Sequence, residues 1–432
     1  MKIMVPANFY VAGGVERVMF CIIKELAELD IDIVIILPQK SIDAFQQMLP
    51  NTARIIYETS GWPRKTISQR QISILRWVRK FSLAFQISSL DTWALNTTKE
   101  ISTSSRLRFL AKKHQCTHCL YFLANRVPVP KGLALPLATL SHDLFWRFAP
   151  MTYPHDLIQQ YDNSLKQWLE SADKVITVSN KTRQDLLTVF PGFEEKVEAV
   201  PLASDRPQHF FETIGQASAL LQKHGLETAQ TTTFFFPSSF SLYKDHLTLM
   251  RASIHAFEQQ AHFKILMTGK DTDRLAKGDL DLSKQKKTLE YQTYVEQLQQ
   301  LYADHAQSWS SIFWGAGYCD LSVVEAVYQT CSCVVMPSRY EGFGLAISEA
   351  IVRGIPVIAA DIDVFHEQVA LYQCPDRVRF FESGNPEALS DRLQEFLTEP
   401  LLRLSEAETS QRFDHWTWRR VAQNYIDVLS TL

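Results

Sequence analysis

The feature that most constrains the fold is an alternation of short apolar segments with amphipathic segments, which runs twice along the 432 residues. The first series has an apolar strand pattern over residues 2–7, a helical pattern over 13–29 and a buried strand pattern over 31–38. The second series begins at residue 231. Strands that alternate with helices are typical of doubly wound parallel sheets. The sequence therefore predicts an α/β protein of two Rossmann-like domains that face each other across a deep cleft.

A polar, irregular stretch from residue 204 to about residue 230 separates the two series. A chain of 432 residues is too long for one ordinary domain. We therefore assign residues 1–205 to an N-terminal domain and residues 206–414 to a C-terminal domain, followed by a helical segment over 415–432. Because ligands bind outside the carboxyl ends of the strands in such sheets, the cleft between the domains is the expected site.

The composition excludes several classes of protein. With 46% hydrophobic and 21% charged residues, the chain has the profile of a soluble globular protein. No apolar run approaches the ~18 residues of a membrane span. The first ten residues contain no apolar secretory region, so we expect a cytoplasmic protein. Cys116 and Cys119 lie in an apolar strand pattern without a second pair at zinc spacing, and we interpret them as core residues.

The net charge of −3 hides a basic region. Residues 51–150 contain 15 Lys and Arg against 4 Asp and Glu. Within them, residues 64–80 carry six basic residues, no acidic residue and a partial apolar face. Since basic amphipathic helices bind anionic membranes, one interpretation is a peripheral protein held at the inner face of the membrane by this segment. The alternative is a solvated helix or a cover for the core. We expect no nucleic-acid partner.

One short motif joins a buried strand to a helix. It is SRYEGFGLAISEA, residues 338–350. The preceding segment, 331–337, has an apolar strand pattern, and the helical pattern that follows ends at Gly354. The motif therefore lies at the carboxyl end of a strand, where the cleft is expected.

The motif contains two acids, Glu341 and Glu349, around a pair of glycines. Glycine before a helix lets a ligand approach the backbone, and a helix N-terminus offers N–H donors that suit phosphate. Gly344 and Leu345 would provide these donors. Eight helical residues span roughly 12 Å, similar to a sugar, diphosphate and ribose in a row, and carboxylates accept hydrogen bonds from hydroxyls. The alternative is a pair of solvent-facing glutamates near a turn.

The wider stretch 337–362 closely resembles the signature of family 4 of the glycosyltransferases, in which two acids follow the pattern E-x7-E. Weaker similarities follow the family's order along nearly the whole chain. They are found at residues 4–26, 141–143, 172–180, 263–270, 384–397 and 413–429. The resemblance implies the GT-B fold, with the helix in 415–432 packed back on the N-terminal domain.

The resemblance also implies a function. Members of the family are retaining enzymes, so the chain would move a sugar from a UDP- or GDP-sugar to a glycan or lipid-linked acceptor. The expected setting is the synthesis of a cell-surface polysaccharide or glycolipid. Apart from the donor substrate, the resemblance implies no cofactor and no metal ion. Asp-x-Asp pairs at 271/273, 279/281 and 361/363 lie in polar loops, and we do not assign a metal to them.

The resemblance further assigns roles to residues of this sequence. Catalytic roles fall to Glu341, which would orient the donor sugar, to His142 beside the reacting sugar, and to Lys244 on the diphosphate. Glu349 would hold the ribose at the other end of the motif. The remaining donor-binding positions are Gly13, Gly14, Ser239, Gly269, Gly317, Tyr318, Gly342, Phe343, Gly344 and Leu345.

Ser239 departs from the family pattern, because it stands where many members have an arginine that contacts the diphosphate. The departure leaves one positive charge fewer on the leaving group, and we do not transfer the role to the nearby Arg339. The nucleobase would lie near residues 269–270 and 315–318, mostly against backbone. For His142 the alternative role is that of a histidine satisfied within its own loop.

Two other functions stay open at this point. The Ser239 departure is compatible with a catalytically weak relative that acts as a partner or scaffold protein. A different enzyme with the same two-domain architecture, such as a sugar-nucleotide epimerase or a phosphorylase, is the second. A phosphorylase would need a lysine that carries pyridoxal phosphate.

Overall fold

The structure of the protein is a computed structural model. It describes residues 1–7, 13–49, 52–60, 103–124, 127–149, 153–207, 210, 213–226, 231–259, 261–279 and 288–432. The basic segment 64–80, for which membrane contact is predicted, lies outside the described residues.

Seven strands from the first half of the chain form one parallel sheet. They are β1 (Lys2–Pro6), β2 (Asp32–Leu37), β3 (Ile55–Thr59), β4 (His118–Tyr121), β5 (Leu137–Ser141), β6 (Lys174–Thr177) and β7 (Val197–Ala199). Their order across the sheet is β3-β2-β1-β4-β5-β6-β7, with parallel pairing throughout. Nearly all of β2 is buried, as expected for a parallel strand covered on both faces.

Six strands from the second half form another parallel sheet. They are β8 (Thr232–Pro237), β9 (Phe263–Thr268), β10 (Phe313–Gly315), β11 (Cys333–Met336), β12 (Val357–Ala360) and β13 (Val378–Phe381). Their order is β10-β9-β8-β11-β12-β13, again with parallel pairing. These two sheets confirm the predicted pair of Rossmann-like domains. The strands of the two sheets lie on either side of residue 205, while the boundary itself stays a prediction.

Helices connect the strands and cover the sheets. The helices with described ends are Gly14–Glu28, Ile42–Met48, Phe145–Phe148, His155–Ser171, Asn180–Val189, Ile214–Lys223, His246–Glu258, Thr272–Leu275, Leu289–Ile312, Leu321–Thr330, Leu345–Val352, Asp363–Tyr372, Pro386–Thr398, Glu406–Phe413 and Trp418–Leu429. A further helix is described over 103–114. The long helix Leu289–Ile312 bends at His305, where the backbone leaves helical geometry. None of the helices in the described ranges is long and apolar enough to cross a membrane.

The strand order places the candidate site. In the first sheet the order reverses between β1 and β4, and in the second it reverses between β8 and β11. Ligand crevices form at the carboxyl ends of strands at such points. The segments that follow these strands include the glycine pair 13–14, residues 238–246 and the motif 338–350.

The helix Trp418–Leu429 packs against Gly14–Glu28 of the N-terminal domain. Its apolar side chains belong to the same hydrophobic cluster as Ile22, Ile23 and Leu26. Two hydrogen bonds fix the start of this helix on the N-terminal domain. The Trp416 indole donates to the Leu202 carbonyl at 2.8 Å, and the Trp418 amide donates to Asp205 at 3.2 Å. The N-terminal domain is therefore completed by a segment that follows the C-terminal domain in sequence.

Candidate active site

The motif begins its helix as the sequence predicts. Gly344 has φ +83 and precedes the helix Leu345–Val352, so its backbone occupies the left-handed region that favours glycine. A Cβ at Gly344 would lie 2.7 Å from a ring carbon of Phe365. At Gly342 a Cβ would overlap the carbonyl oxygen of His142 in the opposite domain. Both glycines are thus required by close contacts, and Gly342 is where the two domains meet.

Glu341 and Lys244 are in direct contact. The Lys244 ammonium lies 2.5 Å from Oε1 of Glu341, whose side chain is 8% exposed. Lys244 ends the short 3-10 turn Leu242–Lys244 after β8, and Glu341 follows β11, the neighbouring strand. The sheet order therefore brings together two predicted catalytic residues that are 97 positions apart.

Glu349 is bound by residues that the sequence did not identify. Its carboxylate forms an ion pair with Arg17 at 2.5 Å and accepts a hydrogen bond from the Tyr328 hydroxyl at 2.7 Å. The carboxylate raises the pKa of Arg17, and burial together with Glu349 raises the pKa of Tyr328. Arg17 belongs to the helix after the glycine pair, so this ion pair crosses between the domains. Arg17 is one of several charged residues in the segment 4–26, and nothing in the sequence distinguishes it as the partner of Glu349.

His142 follows β5 and is neutral. Its Nε2 lies 2.6 Å from the Phe122 carbonyl oxygen, which can only accept, so Nε2 carries the proton and Nδ1 is the acceptor nitrogen. Burial lowers the pKa of His142 to about 4. One ring nitrogen is thus satisfied by the backbone, but by a carbonyl that follows the neighbouring strand β4 and not by the loop of His142 itself. The other nitrogen, Nδ1, has a lone pair that can accept a hydrogen bond from a hydroxyl.

The predicted nucleobase residues cluster at the carboxyl ends of β8, β9 and β10. The Gly269 amide donates to the Gly317 carbonyl at 2.7 Å, and the Lys270 amide donates to the Ser239 hydroxyl at 3.1 Å. A Cβ at Gly269 would lie 2.6 Å from the Ser239 nitrogen, so this approach requires glycine. Tyr318 is 77% exposed. The contacts at this corner are mainly made by backbone atoms, and its role in holding a nucleobase stays a prediction.

The remaining predicted positions surround the same junction. Gly13 has φ +134 and immediately precedes the helix Gly14–Glu28. Phe343 is buried, and Leu345 is partly buried at the start of the motif helix. Arg339 donates from Nε to Asp245 at 2.6 Å, next to Lys244, so its charge is engaged with a buried carboxylate.

Cys116 and Cys119 lie in the core of the N-terminal domain; of the Asp-x-Asp pairs, Asp273 lies against Gly317 and Asp281 is outside the described residues. Cys119 is buried in β4, and burial raises the pKa of Cys116 to about 11, in keeping with core residues. Among the described residues, no group of three or more His, Cys, Asp or Glu side chains is arranged to hold a metal ion. The site that emerges has two carboxylates, each paired with a cation, on either side of a helix start.

Two family models match the chain. The model described as "Glycosyltransferase Family 4" covers residues 12–206, and the model described as "Glycosyl transferases group 1" covers residues 222–413. With two parallel-sheet domains that meet at the motif, these matches define a protein of the GT-B glycosyltransferase class. The chain belongs to glycosyltransferase family 4, as the motif predicts.

Relatives and solved structures agree with this class. The O-antigen chain mannosyltransferase RfbU of Salmonella typhimurium is 38% identical over 78 residues, which cover 17% of this chain and 22% of the relative. The O-antigen chain mannosyltransferase B of Escherichia coli is 22% identical over 234 residues, 54% of each chain. The matches thus span from about a fifth to about half of these two relatives' lengths. The Anabaena protein HepE, solved with UDP-glucose, has the same fold, with a TM-score of 0.65, 17% identity and full coverage of both chains.

Proposed function

We propose that the protein is a retaining glycosyltransferase that moves a sugar from a UDP- or GDP-sugar to a glycan or lipid-linked acceptor without a metal ion. The observation that carries the proposal is the contact of Lys244 with Glu341 beside a helix start. A sugar diphosphate has an anionic part next to a hydroxyl-rich part. A cation and a carboxylate in contact match these two parts, because ammonium groups bind phosphate and carboxylates accept from hydroxyls.

The chemical step needs stabilisation of the leaving nucleoside diphosphate, which gains negative charge as the glycosidic bond breaks. Lys244 and the amides of Gly344 and Leu345 would provide it, together with the amides of Gly13 and Gly14 from the other domain. These groups make a metal ion unnecessary in the proposed mechanism. Arg17, which lies one turn beyond Gly13, adds a further positive charge near the cleft.

The donor sugar would be oriented by Glu341 and by the acceptor nitrogen of His142. Neither acts as a nucleophile in this proposal, since the acceptor would attack on the same face that the diphosphate leaves. Glu349 would hold the ribose while its carboxylate still pairs with Arg17. The hydrogen bond from the Tyr328 hydroxyl would keep the Glu349 carboxylate in place.

The acceptor is proposed to be a growing surface polysaccharide or a lipid-linked glycan. The names of both O-antigen chain mannosyltransferases support a polysaccharide. A cytoplasmic protein bound at the inner membrane face through residues 64–80 fits such an acceptor. Co-sedimentation with anionic liposomes at low salt tests the membrane part, and failure to co-sediment would remove it.

The donor is identified by thermal-shift measurements with UDP, GDP and ADP and with their sugars. Binding to the folded state alone raises Tm, by several degrees for a ligand at about 100 times its Kd. We expect UDP or GDP to do so and the matching sugar nucleotide to be consumed with retention at the anomeric carbon, as seen by proton NMR. If no nucleotide binds, the proposal fails. Binding without transfer or hydrolysis of any sugar nucleotide would favour the scaffold alternative instead.

A further inference from the structure

The N-terminal domain holds the motif loop by two buried hydroxyls. Ser179 and Thr182, at the start of the helix Asn180–Val189, both donate to the carbonyl oxygen of Gly342, at 2.6 and 2.9 Å. Neither side chain is exposed to solvent. Ser179 is also the N-cap of this helix, and its hydroxyl oxygen accepts a hydrogen bond from the Thr182 amide. The helix itself therefore fixes the side chain that binds the motif.

Two aromatic side chains of the same loop enter the cores of the N-terminal domain. Phe343 belongs to the hydrophobic cluster on one face of the first sheet, and Tyr340 belongs to the cluster on the other face. The Tyr340 hydroxyl accepts from the Leu144 amide at 3.1 Å and donates to Asp185 at 3.2 Å. The residues on both sides of Glu341 are therefore held by the opposite domain.

A carboxylate of the C-terminal domain caps the same helix. Glu367 accepts hydrogen bonds from the amides of Asn180 and Lys181, at 2.8 and 3.0 Å, and from the Asn180 side chain at 3.0 Å. An anion at a helix N-terminus meets both unpaired donors and the positive end of the dipole. The helix start thus binds two separate segments of the C-terminal domain, the motif loop and the helix Asp363–Tyr372.

We propose that Ser179 and Thr182 are positioning residues that set the orientation of Glu341 through the Gly342 carbonyl. Glu341 reaches Lys244 within its own domain, but the backbone that carries it is fastened to the other domain on both sides. Closure of the domains and alignment of the sugar-orienting acid are then one event. The catalytic consequence rests on the proposed function, while the structural consequence does not.

The test compares Thr182→Val, which keeps the branched shape and removes the hydroxyl, with Thr182→Ser, which keeps the hydroxyl. Thr188→Val is the matched control, because Thr188 lies on the same helix, is exposed, and bonds only back to its own turn. The first readout is hydrogen exchange of peptides covering 338–350 in the ligand-free protein. We expect exchange to become about fivefold to tenfold faster in Thr182→Val, the effect of one lost hydrogen bond, and to stay unchanged in the two other variants.

The second readout is steady-state transfer. In Thr182→Val we expect kcat to fall about fivefold to tenfold, while the Kd of the nucleoside diphosphate, which lacks the transferred sugar that Glu341 would orient, changes less than about twofold. Thr182→Ser should restore kcat. Wild-type exchange and wild-type kcat in Thr182→Val would overturn the proposal. If that variant does not fold, Tyr340→Phe removes the neighbouring hydrogen bonds with the ring retained, and unchanged exchange there would overturn it equally. An inactive wild-type protein with faster exchange in Thr182→Val would reject the proposed function and retain this inference.

Discussion

The two ends of the motif differ in where their charge partners come from. At one end Glu341 pairs with Lys244 of the same domain, although the loop that carries Glu341 is fastened to the opposite domain. At the other end Glu349 pairs with Arg17 of the opposite domain, so that pair depends on closure. The Arg17 side chain is 39% exposed and that of Lys244 is 20% exposed, so solvent and salt screen the second pair more strongly. One ion pair thus lies within the C-terminal domain, and the other joins the two domains.

The largest effect on turnover is expected at the Glu341 end of the motif. Glu341→Gln keeps the size of the side chain and removes the charge that holds Lys244 and that, in the proposed mechanism, accepts hydrogen bonds from sugar hydroxyls. We expect kcat to fall on the order of 100-fold, because misorientation at the reacting centre is costly. The measurement is transfer from the identified donor, with Tm and nucleoside-diphosphate binding near wild-type values as the control. Unchanged turnover would remove Glu341 from the mechanism.

The second effect is expected on binding of the leaving group. Lys244→Met removes the cation and keeps the aliphatic stem. We expect the affinity for the nucleoside diphosphate, measured by isothermal calorimetry, to fall about tenfold to a hundredfold, since charge-assisted bonds to phosphate are strong. Lys244→Arg keeps the charge and should lose less. Equal affinity in wild type and Lys244→Met would contradict a phosphate role.

A smaller effect is expected at the end that depends on closure. Arg17→Met should raise the donor KM about threefold to tenfold, because Glu349 loses its partner and the domains lose an ion pair. The difference from wild type should shrink in ~0.5 M salt, because Arg17 is partly exposed and its charge is partly screened. In a Glu349→Gln background the same substitution should add little, as a double-mutant cycle would detect. Fully additive effects would mean that the two side chains act independently.

The smallest effect is expected from pH. Burial lowers the pKa of His142 to about 4, so we expect no inflection in kcat from this residue between about pH 6 and about pH 8. In the unfolded chain His142 binds a proton near pH 6.5, but in the folded protein it stays neutral at that pH. Its contribution to the free energy of unfolding is therefore fully present above pH 6.5 and is lost as the pH falls toward about 4. Between about pH 7 and about pH 5.5 the loss is about 1 kcal/mol.

Urea unfolding at both pH values measures this loss. His142→Gln, whose amide nitrogen reaches about as far as Nε2, keeps a donor for the Phe122 carbonyl and lacks the titration, so it serves as the control. A free energy of unfolding with the same pH dependence in both proteins would show that His142 titrates normally in the folded state.

The sequence predicts the fold well because the relevant signals are local. Apolar runs such as 31–38 and helical spacing such as 13–29 arise from burial of contiguous residues, and they give the strand β2 and the helix Gly14–Glu28. The position of Gly344 at a helix start is likewise predicted from the residues next to it in the sequence. Lys244 and Glu341 were assigned to one site, and their direct contact follows from the adjacency of β8 and β11, which the alternation alone does not specify.

The contacts between the domains, which the sequence did not predict, depend on how the domains dock. Arg17 could be assigned to a helix, but not to an ion pair with Glu349. Tyr340 and Phe343 are apolar residues that would suit the core of their own domain equally well, and only the docked structure shows that they enter the other one. Docking is decided by surface shape over many residues, and no single short pattern encodes it. That Ser239 leaves one positive charge fewer on the leaving group stays a prediction.

The helix Trp418–Leu429 has a consequence for how the protein is made. Residues 1–205 emerge from the ribosome well before the helix that covers Ile22, Ile23 and Leu26 is synthesised. Domains commonly fold in the order of synthesis, but here the first half must wait, with an apolar strip unshielded, until the second half has emerged. Nascent chains arrested after residue 414 would therefore be the form of this protein most in need of a chaperone.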